Sequence, residues 1–307
     1  MEILDKLVLP QSAEHIGLLH YILTLVLALF VPFISVVFGG TFTSIYFLNR
    51  FKKTKLPFYK KYSIELIEYL TINPFAGIIL GLVPLLTAII IVAQLLHTAR
   101  IQTVSYLALS FIFVLTALIL IYAYRHWLVS IKITDFDNTK EENSRFESSS
   151  FYLRSNYGKI GLIFLFIGIW FYTAAITSAT NFLTWSFPGI ITSIAAPGVL
   201  LNLLIFLTFA LALSNAAFLF IHLYWKREKE TVHSDYTKFV KDICSKAGLR
   251  ASIPLPVLIA INLFSFSETA LSGSIFIYSV ISIVLIFLAY HLFYLISSKN
   301  EYKFGSV

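Results

Sequence analysis

The stretch from Ile72 to Arg100, INPFAGIILGLVPLLTAIIIVAQLLHTAR, carries Pro74 and Pro84 in a run that is otherwise apolar and ends on His97 and Arg100. From Phe75 to Leu96 its only polar side chains are Thr87 and Gln94. About 20 such residues, rising about 1.5 Å each, cross the hydrocarbon of a bilayer. In a soluble helix an interior proline removes a hydrogen bond and clashes with the carbonyl of the preceding turn. Inside a membrane bundle, neighbouring helices and small backbone adjustments take up the freed groups. The stretch reads as a membrane span.

Composition extends that reading to the whole chain. Of its 307 residues 58% are hydrophobic and 13% are charged, against roughly 25% charged in soluble domains. The mean hydropathy is +0.82. A net charge of +7 on such a chain reports orientation in the bilayer rather than nucleic-acid binding. Cys244 is the one cysteine, which leaves no disulfide framework and no CxxCH haem-attachment motif. The first apolar run is far longer than the 7–15 residues, roughly, of a signal-peptide core, so no cleavable signal is expected there.

Seven apolar segments follow one another: Gly17–Leu48, Phe75–His97, Gln102–Tyr124, Ile160–Phe182, Gly198–Tyr224, Leu255–Phe266 and Ser274–Ser297. The expected fold is an all-α bundle of seven transmembrane helices, one polytopic domain over residues 1–307. Pro32 or the pair Gly39-Gly40 is the natural bend in the long first segment. The sixth, with Pro254 and Pro256 at its start, is expected to begin earlier or to bend. Residues 183–197, broken by Pro188, Gly189 and Pro197, read as an interfacial or re-entrant piece with Trp185 at the headgroups.

Basic residues alternate along this plan. The connections 49–63, 125–159 and 225–250 hold six, six and seven, and the tail adds Lys299 and Lys303, which makes 21 of 23. Lys6 and Arg100 are left for the other side. The bias places the N-terminus outside and the C-terminus inside. Thr134–Ser150 reads as a solvated linker. Glu228–Leu249 reads either as a solvated loop or as an amphipathic helix lying on the inner surface.

Ionisable groups within the hydrocarbon mark function, because each is costly there. None of Asp, Glu, Lys or Arg stands midway along a span, which disfavours ion-coupled transporters and proton pumps. The last span has no lysine, so it offers no Schiff base to retinal. Histidine remains. His15, His20 and His97 fall at one depth, His126, His222 and His291 at the other, and His233 lies in an inside connection. His20 with His97, and His222 with His291, are the candidate pairs for haem iron, since b-type haems take neutral imidazoles from facing helices. The plainer alternative is that these imidazoles cap helices or meet headgroups. Asn202, Ser214 and Asn215 in the fifth span must find partners in the bundle. Helix–helix hydrogen bonding is one role for them and a quinone carbonyl another.

Three stretches carry a resemblance: LALFVPFISVVFGGTFTSIYF (Leu27–Phe47) with Gly39-Gly40, the Gly81–Leu86 core GLVPLL around Pro84, and LILIYAYRHWL (Leu118–Leu128) with Tyr122 and Tyr124. Over roughly residues 20–130 the chain resembles bacterial membrane proteins distantly like subunit I of cytochrome bd-type quinol oxidases, which occur with c-type cytochromes. The resemblance implies a bacterial cytoplasmic membrane and a packing kink at Pro84. It also implies a tyrosine-rich turn closing the third span. By function it implies a respiratory subunit that binds haem b or quinol and passes electrons to a c-type cytochrome. The chain departs from the family in having no histidine midway along the first span and Asn202 where the fifth span would carry one. The alternatives are a haem-free seven-helix scaffold subunit of a larger membrane complex and, third, a small-solute transporter.

Overall fold

The structure is a computed structural model that describes residues 12–96, 102–137, 144–180, 190–225, 235–265 and 273–299, with side chains outside 131–155, 190–191, 265 and 299. Among the described residues all regular structure is helical: α1 (Ala13–Thr54), α2 (Pro57–Leu70), α3 (Pro74–Leu95), α4 (Thr103–Asp137), α5 (Ser144–Thr180), α6 (Ile190–Ile194), α7 (Pro197–Trp225), α8 (Asp235–Ser252), α9 (Pro254–Ser265) and α10 (Gly273–Lys299). Seven helical stretches are long and apolar enough to cross a membrane: α1, α3, α4, α5, α7, the α8–α9 pair and α10. The fold is that of a multi-pass helical bundle.

The centre of the bundle is α1. It packs on α2, α3, α5 and α7 and buries Phe30, Ile34, Val37 and Leu48. With no hydrophobic drive between helices in lipid, close approach has to come from small residues and hydrogen bonds. Gly39 supplies the first: a Cβ there would collide with Ser214 Oγ and the Ala210 carbonyl of α7. One turn face away, Gly40 receives Leu70 of α2, whose Cδ1 would lie 2.9 Å from an added Cβ. The pair Gly39-Gly40, expected to bend the first span, is therefore a packing surface, and the helix runs unbroken through it and Pro32 from Ala13 to Thr54.

The hairpin α4–α5 uses the same device along its length. Gly158, Gly161 and Gly168 of α5 seat Tyr124, Ile121 and Val114 of α4. Ser110 Oγ donates to the Gly168 carbonyl at 2.8 Å, and Thr103 and Ser178 hydroxyls meet at 2.8 Å.

Within α3, the interior proline is accommodated by a π-helical turn over Ile78–Leu82. The Val83 amide reaches back five residues to the Ile78 carbonyl. This widening precedes Pro84 and opens the turn its ring would strike. Before α3 the chain is fixed by Ile72 at φ 51°, a left-handed conformation rare for a β-branched residue. Asn73 then caps the helix, its Oδ1 accepting from the Ala76 amide at 2.7 Å.

Several helices outrun the bilayer. At about 1.5 Å per residue the 42 residues of α1 reach about 63 Å against about 30 Å of hydrocarbon. The 35 of α4 and 37 of α5 do likewise. The connection Thr134–Ser150, expected as a linker, is thus largely helical, with α4 running to Asp137 and α5 starting at Ser144. The lysine- and arginine-rich end of the bundle is a projecting helical body, here termed the basic end. The tyrosines expected to form a turn, Tyr122 and Tyr124, lie inside α4 instead. Tyr122 donates to the Thr71 carbonyl at 2.9 Å, and Tyr124 shares a buried knot in which Ser44 and Ser63 exchange hydrogen bonds of 2.8–2.9 Å across α1 and α2.

The segment expected as a loop or surface helix is the helix α8, and it packs on α7 and α10. Its apolar stripe Tyr236, Val240 and Cys244 is buried. A break at Ile253 separates it from α9, where Pro254 and Pro256 start a new helix, so the sixth span does begin early and is interrupted. Within 183–197 a short helix Ile190–Ile194 is seen, its Ile194 carbonyl accepting from Trp170 Nε1 at 3.1 Å; Trp185, Pro188 and Gly189 lie outside the described residues.

Candidate functional site at the basic end

A short helix after a tight left-handed cap at Lys55 folds α2 back against α1. Its sequence PFYKKYSIELIEYL puts Tyr62, Leu66 and Ile67 inward, and Glu65 lies among them. A carboxylate so placed needs donors. Tyr236 of α8 gives one, its hydroxyl donating to Glu65 Oε2 at 2.7 Å. His222 Nδ1 stands 3.9 Å from the same oxygen, and Lys61 Nζ 3.9 Å from Oε1.

Aromatic rings hold these groups in place. The His222 imidazole stacks on Phe218 at 5.8 Å and 15°, and meets the Tyr236 ring edge-on at 5.7 Å and 83°. The Lys61 ammonium sits 4.2 Å above the Tyr236 ring. Beneath them, Tyr62 OH and Cys244 Sγ are hydrogen-bonded at 2.9 Å, both fully buried. Burial pushes the Tyr62 hydroxyl well above the usual phenol range, with the adjacent Cys244 thiol adding to the effect. It remains a neutral donor or acceptor throughout the physiological range.

His222 is delivered to this cluster by a second π-helical turn, Ile221–Trp225, at the end of α7. Such turns reorient side chains and recur at functional positions. The cluster joins α2, α7 and α8 through one acid, one ammonium, one imidazole and two phenols.

The other expected ligands are elsewhere. His20 is exposed at the opposite end of α1, its Nδ1 bonded to the Ile16 carbonyl at 2.9 Å. His291 is exposed on α10, which packs against α8 and α9, whereas His222 belongs to α7. His97 and His233 lie outside the described residues. His15 and His126 are exposed. The described contacts of His222 and His291 do not join them. Among the described residues no three of His, Cys, Asp and Glu gather as a metal site.

Asn202 bridges helices, its Nδ2 donating to Thr177 Oγ1 of α5 at 2.9 Å. Asn215 donates to the Leu211 carbonyl at 2.7 Å, while its buried Oδ1 has no partner.

Glu65, Tyr236 and Cys244 are the residues that sequence reasoning missed. The available signal was local: Glu65 stands between Ile64 and Leu66, with Ile67 following, so an amphipathic α2 had to turn it toward its own apolar face. Comparison of the chain with protein families, curated proteins and solved structures finds no match.

Proposed function

We propose that the chain is a haem-free seven-helix scaffold subunit of a larger membrane complex. The observation that carries this reading is α10. The most apolar window of that helix has 0% of its residues buried within the chain, and α10 rests on α8 and α9 along one side. Phe276, Tyr278, Phe287 and Tyr294 along it are all more than half exposed. A span that adds so little to its own core, yet presents large rings, is suited to a neighbouring subunit, whose contact surfaces favour aromatic residues.

The surroundings of His222 and His291 support the same reading. A bis-imidazole haem needs two rings on facing helices around an apolar pocket. His222 is engaged with Glu65, Phe218 and Tyr236, and His291 is exposed on a helix apart from it. That pair does not fit the group.

A photoreactive benzoylphenylalanine placed at Phe276 or Leu285 should form protein adducts heavier than the 34.8 kDa chain in native membranes. Adducts with lipid alone would overturn the scaffold reading.

One observation favours the second reading, a respiratory subunit that binds haem b or quinol and passes electrons to a c-type cytochrome. The His20 Nδ1–H bonded to the Ile16 carbonyl leaves Nε2 free, the tautomer of an iron-ligating imidazole. On this reading the complex shows a reduced-minus-oxidised b-type band that His20→Ala alters; a colourless complex, isolated intact with ample haem supply, contradicts it.

A further inference from the structure

Near the basic end a cleft of about 610 Å³ opens between α1 and α8 over a floor of α7. Three cations line it, Arg50, Lys246 and Arg250. Lys246 is neutralised by Asp242, Nζ to Oδ1 at 2.7 Å. Among the described residues Arg50 and Arg250 have no carboxylate partner, Arg50 meeting only the Tyr59 ring at 5.2 Å. The cleft thus presents two uncompensated guanidinium groups.

Its depth decides the chemistry. Measured along α7 from Pro197, Thr208, Leu211 and Asn215 in the floor lie about 17, 21 and 27 Å down, so the cleft reaches from the middle of about 30 Å of hydrocarbon toward its far edge. Phe42 and Tyr46 in the wall of α1 are half exposed. A ligand here meets apolar surface from Phe42 and Leu211 and guanidinium groups from Arg50 and Arg250. Asn215 also lines the cleft, though it is 4% exposed and its Oδ1 is buried beneath the floor.

We infer that the cleft binds an anionic glycerophospholipid, its phosphate held by Arg50 and Arg250 and an acyl chain lying over Phe42 and Leu211. Guanidinium groups match phosphate oxygens in geometry and charge. A neutral quinol would leave both arginines uncompensated.

The test uses the full chain in detergent and dioleoylphosphatidylglycerol, with dioleoylphosphatidylcholine, inorganic phosphate and a short-chain quinol as separate arms. Phosphatidylglycerol should raise the unfolding temperature and remain bound in native mass spectrometry. Arg50→Gln and Arg250→Gln should each weaken that binding about tenfold. Arg50→Lys/Arg250→Lys, which keeps the charge, should retain most of it. An equal response to phosphatidylcholine or to inorganic phosphate would overturn the inference, as would a quinol response alone. If the glutamine variants do not fold, a photoreactive phosphatidylglycerol must label α1 and α8 of the wild-type chain; labelling elsewhere overturns it.

Discussion

Gly39→Val should be the most damaging single substitution in the bundle, lowering stability by about 3 kcal/mol, the upper part of the range for overpacking. An added Cβ collides with Ser214 Oγ and with the Ala210 carbonyl. The serine can rotate away, but the carbonyl is part of α7 and moves only if the helix does. Since α1 also packs on α2, α3 and α5, separating it from α7 disturbs the whole core. Gly17→Val is the internal control, because a Cβ there meets nothing within 4 Å. Unfolding midpoints in bicelles should fall sharply for the first and hardly move for the second. Ser214→Gly added to Gly39→Ala should recover only part of the loss. Full recovery would mean that the carbonyl contact does not matter.

The second large effect concerns Glu65. Glu65→Ala removes the acceptor of the Tyr236 hydroxyl and strands a buried phenol, together with the charge facing His222 and Lys61. Leaving a buried donor without its acceptor costs about 1–3 kcal/mol. Most of that belongs to Tyr236 and little to Lys61, whose side chain is 57% exposed and whose pairing is worth at most about 1 kcal/mol. Tyr236→Phe should therefore cost about 1.5–3 kcal/mol, and Lys61→Met much less. Glu65→Gln keeps an oxygen for Tyr236 and should be milder than Glu65→Ala. Losses from Glu65→Ala and Tyr236→Phe that simply add in a double-mutant cycle would show the two side chains to be uncoupled. The account requires a coupling on the order of the Tyr236→Phe loss itself.

How much of this was legible in the chain follows from what each signal measures. Runs of about 20 apolar residues reveal spans directly, and six of the seven long apolar helices fall where such runs do; the sixth, Asp235–Phe264, begins 20 residues before the short run expected from Leu255. Depth along a span is also legible, because rise per residue is fixed. Azimuth is not. His20 follows buried Leu19 and is exposed, and His291 stands two residues before buried Phe293 and is exposed. Equal depth therefore does not by itself say which imidazoles face one another. Likewise Gly39-Gly40 signals either a bend or a close contact, and only α7 and Leu70, brought alongside, decide for contact. The Glu65–Tyr236 hydrogen bond spans 171 residues of sequence, a separation at which no local pattern names the partner. The lysines of α8 concealed a packed helix, because its stripe of Tyr236, Val240 and Cys244 is narrow and its other face is polar.

Seven helices are long and apolar enough to span a membrane, and we propose that the basic end, with the Glu65 cluster, faces the cytoplasm. Reporters of compartment fused after Val307 and inserted after Arg100 test it most directly. If the 21 of 23 basic residues in the connections 49–63, 125–159 and 225–250 and the tail set the orientation, the Val307 reporter should be active as a cytoplasmic enzyme and the Arg100 reporter as an extracytoplasmic one. Both reporters on the same side would contradict the seven-span plan, and an exchange of sides would contradict its orientation.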